Sequence, residues 1–380
     1  MTQVSADGAT VGLPFARPLY ALVKPAGARC NLACRYCYYL ASDAASAGAG
    51  LMESDLLALF TRQYLEVQTQ REVLFTWHGG EPTLLPISFF EQALVLQHRY
   101  AGWHVCDNAL QTNGTLLTDD YCRFLRDNHF LVGLSLDGPR EMHDAYRLSP
   151  GGKPSWARVM QAVELLERHG VEWNAMAVVT DLTVRQPLLF YDFFRRIGVR
   201  YLQFTPNAEF GLGNGLPGSI QAEEWGLFLC TLFDAWYSRD VGQIFIQLFE
   251  STLANYVGQP CGLCSMSPTC GDSLVVEANG DVYSCDHFAY GPYLLGNLRS
   301  RSILSMVESP QHVAFRRLKT QLAPECHTCP WLRLCWGECP RTRQPHVDGV
   351  SSLCAGYRRF FQHAELALRQ LASEFAPTPP

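Results

Sequence analysis

Between residues 18 and 204 the chain alternates six times between short strand-like runs and longer helical patterns, and this constrains the fold more than any other feature. The strand-like runs are PLYALVK (18–24), VLFTW (73–77), VCDNALQ (105–111), LVGLSL (131–136), EWNAMAVV (172–179) and RYLQF (200–204). Between them MESDLLALFTRQYLE, SFFEQALVLQHRY, TDDYCRFLRDN, SWARVMQAVELLERHG and PLLFYDFFRRIG carry apolar residues at three-and-four spacing. Thr118 followed by Asp119 and Asp120 suits a helix start, because a cap oxygen and acids meet unpaired amides there. Gly170 and Gly198 fall where helices should close. Parallel neighbours need a crossover, so six such units imply a parallel sheet. A closed eight-fold barrel needs two more units, and the expected class is therefore α/β, an open six-unit (β/α)6 partial TIM barrel. Its chemistry should sit on loops after the C-terminal ends of strands.

Composition narrows the function. A formal net charge of -6 gives no electrostatic reason for a nucleic-acid or anionic-membrane partner. The N-terminus lacks a basic start followed by an apolar core, and no uncharged run is long enough to span a bilayer, so a cytoplasmic protein is expected. Thiols stay reduced there, so the 15 cysteines argue against a disulfide scaffold. Three of them lie in one short motif and nine between Cys261 and Cys354. Cys122 and Cys230 sit in helical apolar patterns as small buried hydrophobes, and Cys106 joins them as a scattered thiol without a partner motif. The glycine-rich stretch 205–218 lacks the helix and acid of a nucleotide loop, residues 221–257 read as helical, and the tail EFAPTPP reads as frayed.

The short motif is KPAGARCNLACRYCYYL, with Cys30, Cys34 and Cys37 in a C-x3-C-x2-C run after the first strand. A structural zinc site wants four ligands and a disulfide two. Three thiolates suit an iron–sulfur cube with four ligand positions, one iron being left open to an exchangeable group.

This run, followed by an aromatic, resembles the radical S-adenosylmethionine (SAM) superfamily. There the open iron binds the amino and carboxylate groups of SAM, and reductive cleavage yields a 5′-deoxyadenosyl radical that takes hydrogen from the substrate. Later strand ends agree with the resemblance. HGGEP (78–82) is similar to the family's GGE loop, which implies that Gly79 and Gly80 let backbone approach the methionine moiety and that Glu81 accepts from its ammonium. QTNGT (111–115) offers Gln111 and Asn113 to the SAM or substrate region. SLDGPREMHDAYR (135–147) supplies Ser135, Asp137 and Arg147, and the resemblance places Ser135 on the ribose side and an arginine against the carboxylate. Arg147 and Arg158 are the two candidates for that arginine, since a guanidinium fork suits a carboxylate, and Tyr39 is an adenine-side candidate.

The C-terminal cysteines resemble the SPASM domain, which carries two auxiliary 4Fe–4S clusters. The resemblance assigns Cys264, Cys270, Cys285 and Cys339 to the first and Cys326, Cys329, Cys335 and Cys354 to the second. Two full sets leave no open iron, as suits electron transfer. Cys261 is left over and competes with Cys264, and a pair of zinc sites is the alternative that spacing alone leaves open. The implied division is a barrel domain over 17–240, a small cysteine-rich α+β SPASM domain over 241–360, and a C-terminal helix and frayed tail over 361–380.

Within this group KPAGARCNLACRYCYY and CDHFAYGPYLLGNL look most like the anaerobic sulfatase-maturating enzymes, which oxidise a sulfatase cysteine or serine to formylglycine. The resemblance makes Asp286 the general base. Its implied partners are SAM, three 4Fe–4S clusters, an unfolded or nascent sulfatase polypeptide, and a reduced flavodoxin- or ferredoxin-like electron donor. His78 stands where glutamine is common in that family. Two other readings are a maturase that crosslinks or epimerises a ribosomal peptide, and a non-catalytic iron–sulfur or zinc module. The cysteine-or-serine choice is not legible from the residues.

Overall fold

The computed structural model describes residues 18–39, 50–208, 216–270, 273–343 and 349–375. Most of the glycine-rich stretch and the end of the tail lie outside them. All six expected strands form: β1 (Tyr20–Lys24), β2 (Glu72–Trp77), β3 (Val105–Thr112), β4 (Leu131–Ser135), β5 (Trp173–Val179) and β6 (Tyr201–Pro206). The intervening helices are α1 (Ser54–Glu66), α2 (Ile87–Tyr100), α3 (Asp119–Asp127), α4 (Arg140–Tyr146), α5 (Trp156–His169) and α6 (Pro187–Arg196). Thr118 caps α3 by accepting from the Tyr121 amide, and Gly170 closes α5 in the left-handed region. Cys122 and Cys230 are buried, as their apolar patterns require.

The chain forms two compact units. The first holds residues up to Arg29, Tyr39–Leu110 and Gly271–Phe315. Here β1 and β2, and β2 and β3, run parallel. On β2 the alternation turns Val73, Phe75 and Trp77 inward, where Phe75 meets Phe60 and Tyr64 of α1 edge-on. Fully burying a side chain of this kind contributes about 1.5–3 kcal/mol. The other side of β1 is taken by a strand from the cysteine-rich segment. That strand is β8 (Ser273–Glu277), parallel to β1 with Lys24 in register with Glu277. Antiparallel β9 (Asp281–Tyr283) and β10 (Leu294–Asn297) follow it.

The second unit holds Cys30–Tyr38, Gln111–Cys270 and the chain from Arg316 onward. Its strands β4, β5 and β6 are parallel, and a short β7 (Phe245–Ile246) extends them beside β6. The expected helical stretch 221–257 is thus two helices, α7 (Ala222–Arg239) and α8 (Gln247–Tyr256), with β7 between them. The break lies at Asp240–Gly242: Gly242 is left-handed (φ 75°), and the buried Asp240 carboxylate accepts from Tyr191 (2.8 Å) and pairs with Arg195 (2.9 Å). A last long helix, α9 (Cys354–Phe375), crosses α7 at a glycine pair. A Cβ on Gly356 would lie 2.2 Å from the Ala222 carbonyl oxygen, so the two backbones approach only because both positions are glycine. Among the described residues no helix is long and apolar enough to cross a membrane.

Candidate active site

In the second unit the three-cysteine loop is fastened to the ends of β3, β4 and their following turns. Asn113 donates to Asn31 Oδ1 (2.8 Å) and lies 3.9 Å from Cys30 Sγ, while Asn31 donates to Thr115 Oγ1 (2.7 Å). The Leu32 amide also points at Cys30 Sγ (3.4 Å). N–H donors directed at a sulfur suit a thiolate, so this loop fits a cluster ligand. The amides of Ala33 and Arg35 bond to the carbonyls of Leu148 and Tyr146. Burial pushes the Cys34 thiol up to about 11, with the Arg147 guanidinium opposing.

Asp137 organises the β4 end. Its carboxylate accepts from Arg147 Nε (2.8 Å), the Val178 amide (2.9 Å) and the Tyr36 hydroxyl. The Asp137 amide donates to His143 Nδ1, which leaves the proton on Nε2, facing Ser155 Oγ (2.9 Å). Burial pushes His143 down to about 4, consistent with a neutral ring. Ser155 in turn donates to the Arg147 carbonyl (2.6 Å), so Arg147 is fixed at both ends. Arg158 Nη2 donates to the Thr115 carbonyl (2.9 Å), and Gln111 Nε2 donates to Ser135 Oγ (3.1 Å).

In the first unit the β2 end carries HGGEP. Gly79 has φ 117°, and a Cβ on Gly80 would stand 2.1 Å from the Arg29 carbonyl oxygen. That closeness lets the Gly80 and Glu81 amides bond to the Gly27 and Arg29 carbonyls, at the entrance to the cysteine loop. Glu81 is buried and accepts from the Thr83 amide (3.0 Å) and hydroxyl (2.5 Å).

The same unit places Asp286, one turn beyond β9, against a buried lysine. Lys24 Nζ is 2.6 Å from Asp286 Oδ1, 3.4 Å from Glu277 Oε1, and 3.6 Å above the Tyr39 ring. Tyr39 donates to Glu277 Oε2 (2.5 Å). Burial pushes Asp286 up, but Lys24, His78 and His287 outweigh it and hold the carboxyl well below the usual range. Burial raises Glu277 despite Lys24. His78 is lowered by burial, with Asp286 opposing.

The C-terminal cysteines are distributed over both units. Cys326, Cys329, Cys335 and Cys354 line one cavity in the second unit, with Trp331 and Tyr357 on its wall. Four thiols around one cavity fit the donor set of a 4Fe–4S cluster. Cys264, Cys270 and Cys339 belong to the second unit and Cys285 to the first. Buried Lys319 donates to the carbonyls of Cys264 (2.7 Å) and Ser265 (2.6 Å), whereas the Cys261 thiol donates to Leu263 within its own turn (3.4 Å). The turn from Cys335 to Cys339 is left-handed at Trp336, Gly337 and Glu338. Buried Arg343 spans it, donating to the carbonyls of Gly337 (2.8 Å), Glu338 (3.0 Å) and Trp336 (3.1 Å), and to Gln321 (2.8 Å).

The comparisons with known proteins match this arrangement. Residues 25–194 match the radical SAM superfamily, and residues 264–330 match the SPASM iron–sulfur cluster-binding domain. The chain is 46% identical to a serine-type anaerobic sulfatase-maturating enzyme of Bacteroides thetaiotaomicron, over 97% of this chain and 96% of that one. The chain belongs to the anaerobic sulfatase-maturating enzymes. It is also 34% identical to a cysteine-type member from Clostridium perfringens, over 91% of this chain and 96% of that one. A solved structure described as native anSMEcpe with bound AdoMet and Cp18Cys peptide superposes with a TM-score of 0.88, at 32% identity, over 94% of this chain and 99% of that one. The fold is accordingly the family's radical SAM partial barrel with its SPASM domain, and the protein is a radical SAM oxidoreductase that uses SAM and 4Fe–4S clusters, including two auxiliary ones.

Sequence reasoning passed over Lys24, Glu277 and Arg343. Lys24 and Glu277 each end an apolar strand run, where an ion survives burial only with a partner, and that was the available signal. Arg343 had none, because its acceptors are carbonyls.

Proposed function

We propose that this enzyme oxidises the Cβ of a cysteine or serine in a sulfatase polypeptide to formylglycine, with Asp286 taking the thiol or hydroxyl proton. The placement of the Asp286 carboxylate directly after Cys285, held by Lys24 at 2.6 Å, carries the assignment. A base must keep an acceptor oxygen within hydrogen-bond reach of the proton, and an ammonium partner favours its ionised form. When bound, SAM and its cluster supply hydrogen-atom abstraction at Cβ, and the auxiliary clusters supply electron transfer. The 46% identical relative is of the serine type, which supports serine among the targets.

The residues around these groups divide the work. Cys30, Cys34 and Cys37 hold the SAM-binding cluster. Cys326, Cys329, Cys335 and Cys354 hold one auxiliary cluster, and Cys264, Cys270, Cys285 and Cys339 the other. The grip of Lys319 on the Cys264 backbone supports Cys264 over Cys261. Gly79, Gly80, Glu81, Gln111, Asn113 and Ser135 face SAM. Arg147 is favoured over Arg158 for its carboxylate, because Arg147 lies beside Cys34 whereas Arg158 is engaged by the Thr115 carbonyl. Asp137, with three donors on it, orients Arg147. Tyr39 is the adenine-side candidate, with its hydroxyl bonded to Glu277 Oε2. An external one-electron reductant of the flavodoxin or ferredoxin type starts each turnover.

The test is mass spectrometry of a sulfatase-motif peptide, in cysteine and serine versions, after anaerobic incubation with the cluster-loaded enzyme, SAM and a reductant. Loss of two hydrogens from the serine peptide, or replacement of the thiol by an aldehyde, is expected. 5′-Deoxyadenosine without any change in either peptide overturns the reading.

A further inference from the structure

We propose that Lys24 is a positioning residue for aldehyde formation: its buried ammonium, anchored by Glu277 and Tyr39, fixes the Asp286 carboxylate in the orientation that receives the substrate proton. The proposal rests on Asp286 being the base.

Lys24 is the last residue of β1 and is fully buried, with 0% exposure. Among the described residues its ammonium lies near Asp286 Oδ1 at 2.6 Å, Glu277 Oε1 at 3.4 Å and the Tyr39 ring at 3.6 Å. Glu277 is its register partner on β8, and that carboxylate is pinned at its other oxygen by the Tyr39 hydroxyl at 2.5 Å. The ammonium is therefore set from two paired strands, β1 and β8. Asp286 comes instead from a single short turn, Asp286–Phe288. That turn alone leaves its χ angles to be decided by contacts. The ammonium supplies one such contact, at 2.6 Å, as a donor with no acceptor capacity, so it orients the carboxylate without competing for the proton.

A purely structural lysine is a poor explanation for this site. Taking an ammonium out of water costs several kcal/mol, and well-packed apolar groups of similar volume often serve stability as well. β1 is otherwise apolar at its buried positions, Ala21 and Val23. A misplacement of about 1 Å at a reacting group lowers rates by up to about a hundredfold, so fixing a base has a catalytic return.

The test is Lys24→Met in the cluster-loaded enzyme, with aldehyde and 5′-deoxyadenosine measured in the same reaction alongside iron content. Deoxyadenosine formation and the KM for SAM should stay within about twofold of the parent, while aldehyde per deoxyadenosine falls about tenfold or more. Because Lys24→Met leaves two carboxylates without their ammonium, the double variant Lys24→Met/Glu277→Gln is measured beside it and should show the same loss. A folded, iron-replete variant of either kind with the parent ratio overturns the proposal, since a lysine needed only for folding leaves that ratio unmoved. Asp286→Asn separates the two readings. If it keeps the parent ratio, the base assignment falls. If it loses aldehyde while the lysine variants keep the parent ratio, only the role of Lys24 falls.

Discussion

Asp286 and Glu338 are both acids beside a cluster cysteine, Asp286 directly after Cys285 and Glu338 directly before Cys339. Their surroundings differ in one respect. Asp286 lies against the Lys24 ammonium at 2.6 Å and is held well below the usual range by Lys24, His78 and His287 against the pull of burial. Glu338 accepts from the hydroxyls of Thr342 and Ser351 inside the turn that Arg343 spans, and burial pushes its carboxyl up with Thr342 and Lys319 opposing. A cationic partner keeps one acid as an ionised acceptor, whereas hydroxyl partners tie the other into its own loop. The difference lies in the partners and not in the acids, and the ion pair with Lys24 is the ground on which Asp286 is proposed as the base.

The largest effect should therefore come from Asp286→Asn. Removing a general base costs about a hundredfold to ten-thousandfold, and aldehyde formation should fall by at least the lower figure. 5′-Deoxyadenosine should still form, since Asp286 is assigned to the substrate proton and not to SAM. Parallel assays of both products check this. Unimpaired aldehyde formation would remove the distinction between the two acids.

Next in size is Arg343→Met, which acts on the Glu338 side. Trp336 and Glu338 are non-glycine residues in the left-handed region, a conformation that costs each roughly 1–2 kcal/mol without external support. Arg343 supplies that support through the carbonyls of Trp336, Gly337 and Glu338. Its loss should release the turn that carries Cys335 and Cys339, lowering iron from about twelve atoms per chain to about eight or fewer. Iron assay and the visible absorbance of the reconstituted protein measure it. Full iron in this variant would show that the turn holds without its arginine.

The same two regions mark what the residues disclosed and what they withheld. β1 to β6 were legible because a half-buried strand must alternate, and Val73, Phe75 and Trp77 do. The cysteine sets came from the resemblance to the SPASM domain and not from spacing alone, and of the two sets Cys326, Cys329, Cys335 and Cys354 line one cavity. The pairing of Lys24 with Glu277 was not legible, since it depends on a parallel register between strands some 250 residues apart in the chain. The strand β7 was also missed: Gly242 interrupts a helical pattern whose periodicity resumes beyond it, and an isolated glycine in such a pattern is ordinarily tolerated.

The crossing of α7 and α9 was equally silent in sequence, and it bears on the Glu338 side because α9 opens with Cys354. Gly→Ala inside a helix normally stabilises by about 1 kcal/mol. At Gly356 the new Cβ would meet the Ala222 carbonyl oxygen at 2.2 Å, backbone that yields only if the helices part. Gly356→Ala should thus destabilise by about 1–3 kcal/mol, the usual cost of overpacking. A lower urea midpoint with unchanged slope is the expected result, and a raised midpoint would mean that the helices separate easily.

The smallest effect should come from Glu338→Gln, the counterpart of the Asp286 substitution. Glutamine keeps the shape and a carbonyl oxygen to accept from Thr342 and Ser351, and it removes a charge that burial already disfavours. Stability should change by less than about 1 kcal/mol, the worth of a single neutral hydrogen bond. Aldehyde per deoxyadenosine should stay within about twofold, because hydroxyls of its own loop engage this acid. If Glu338→Gln abolished the aldehyde with iron intact, an acid engaged by the hydroxyls of its own loop would be doing the proton chemistry. The ammonium beside Asp286 would then no longer identify the base.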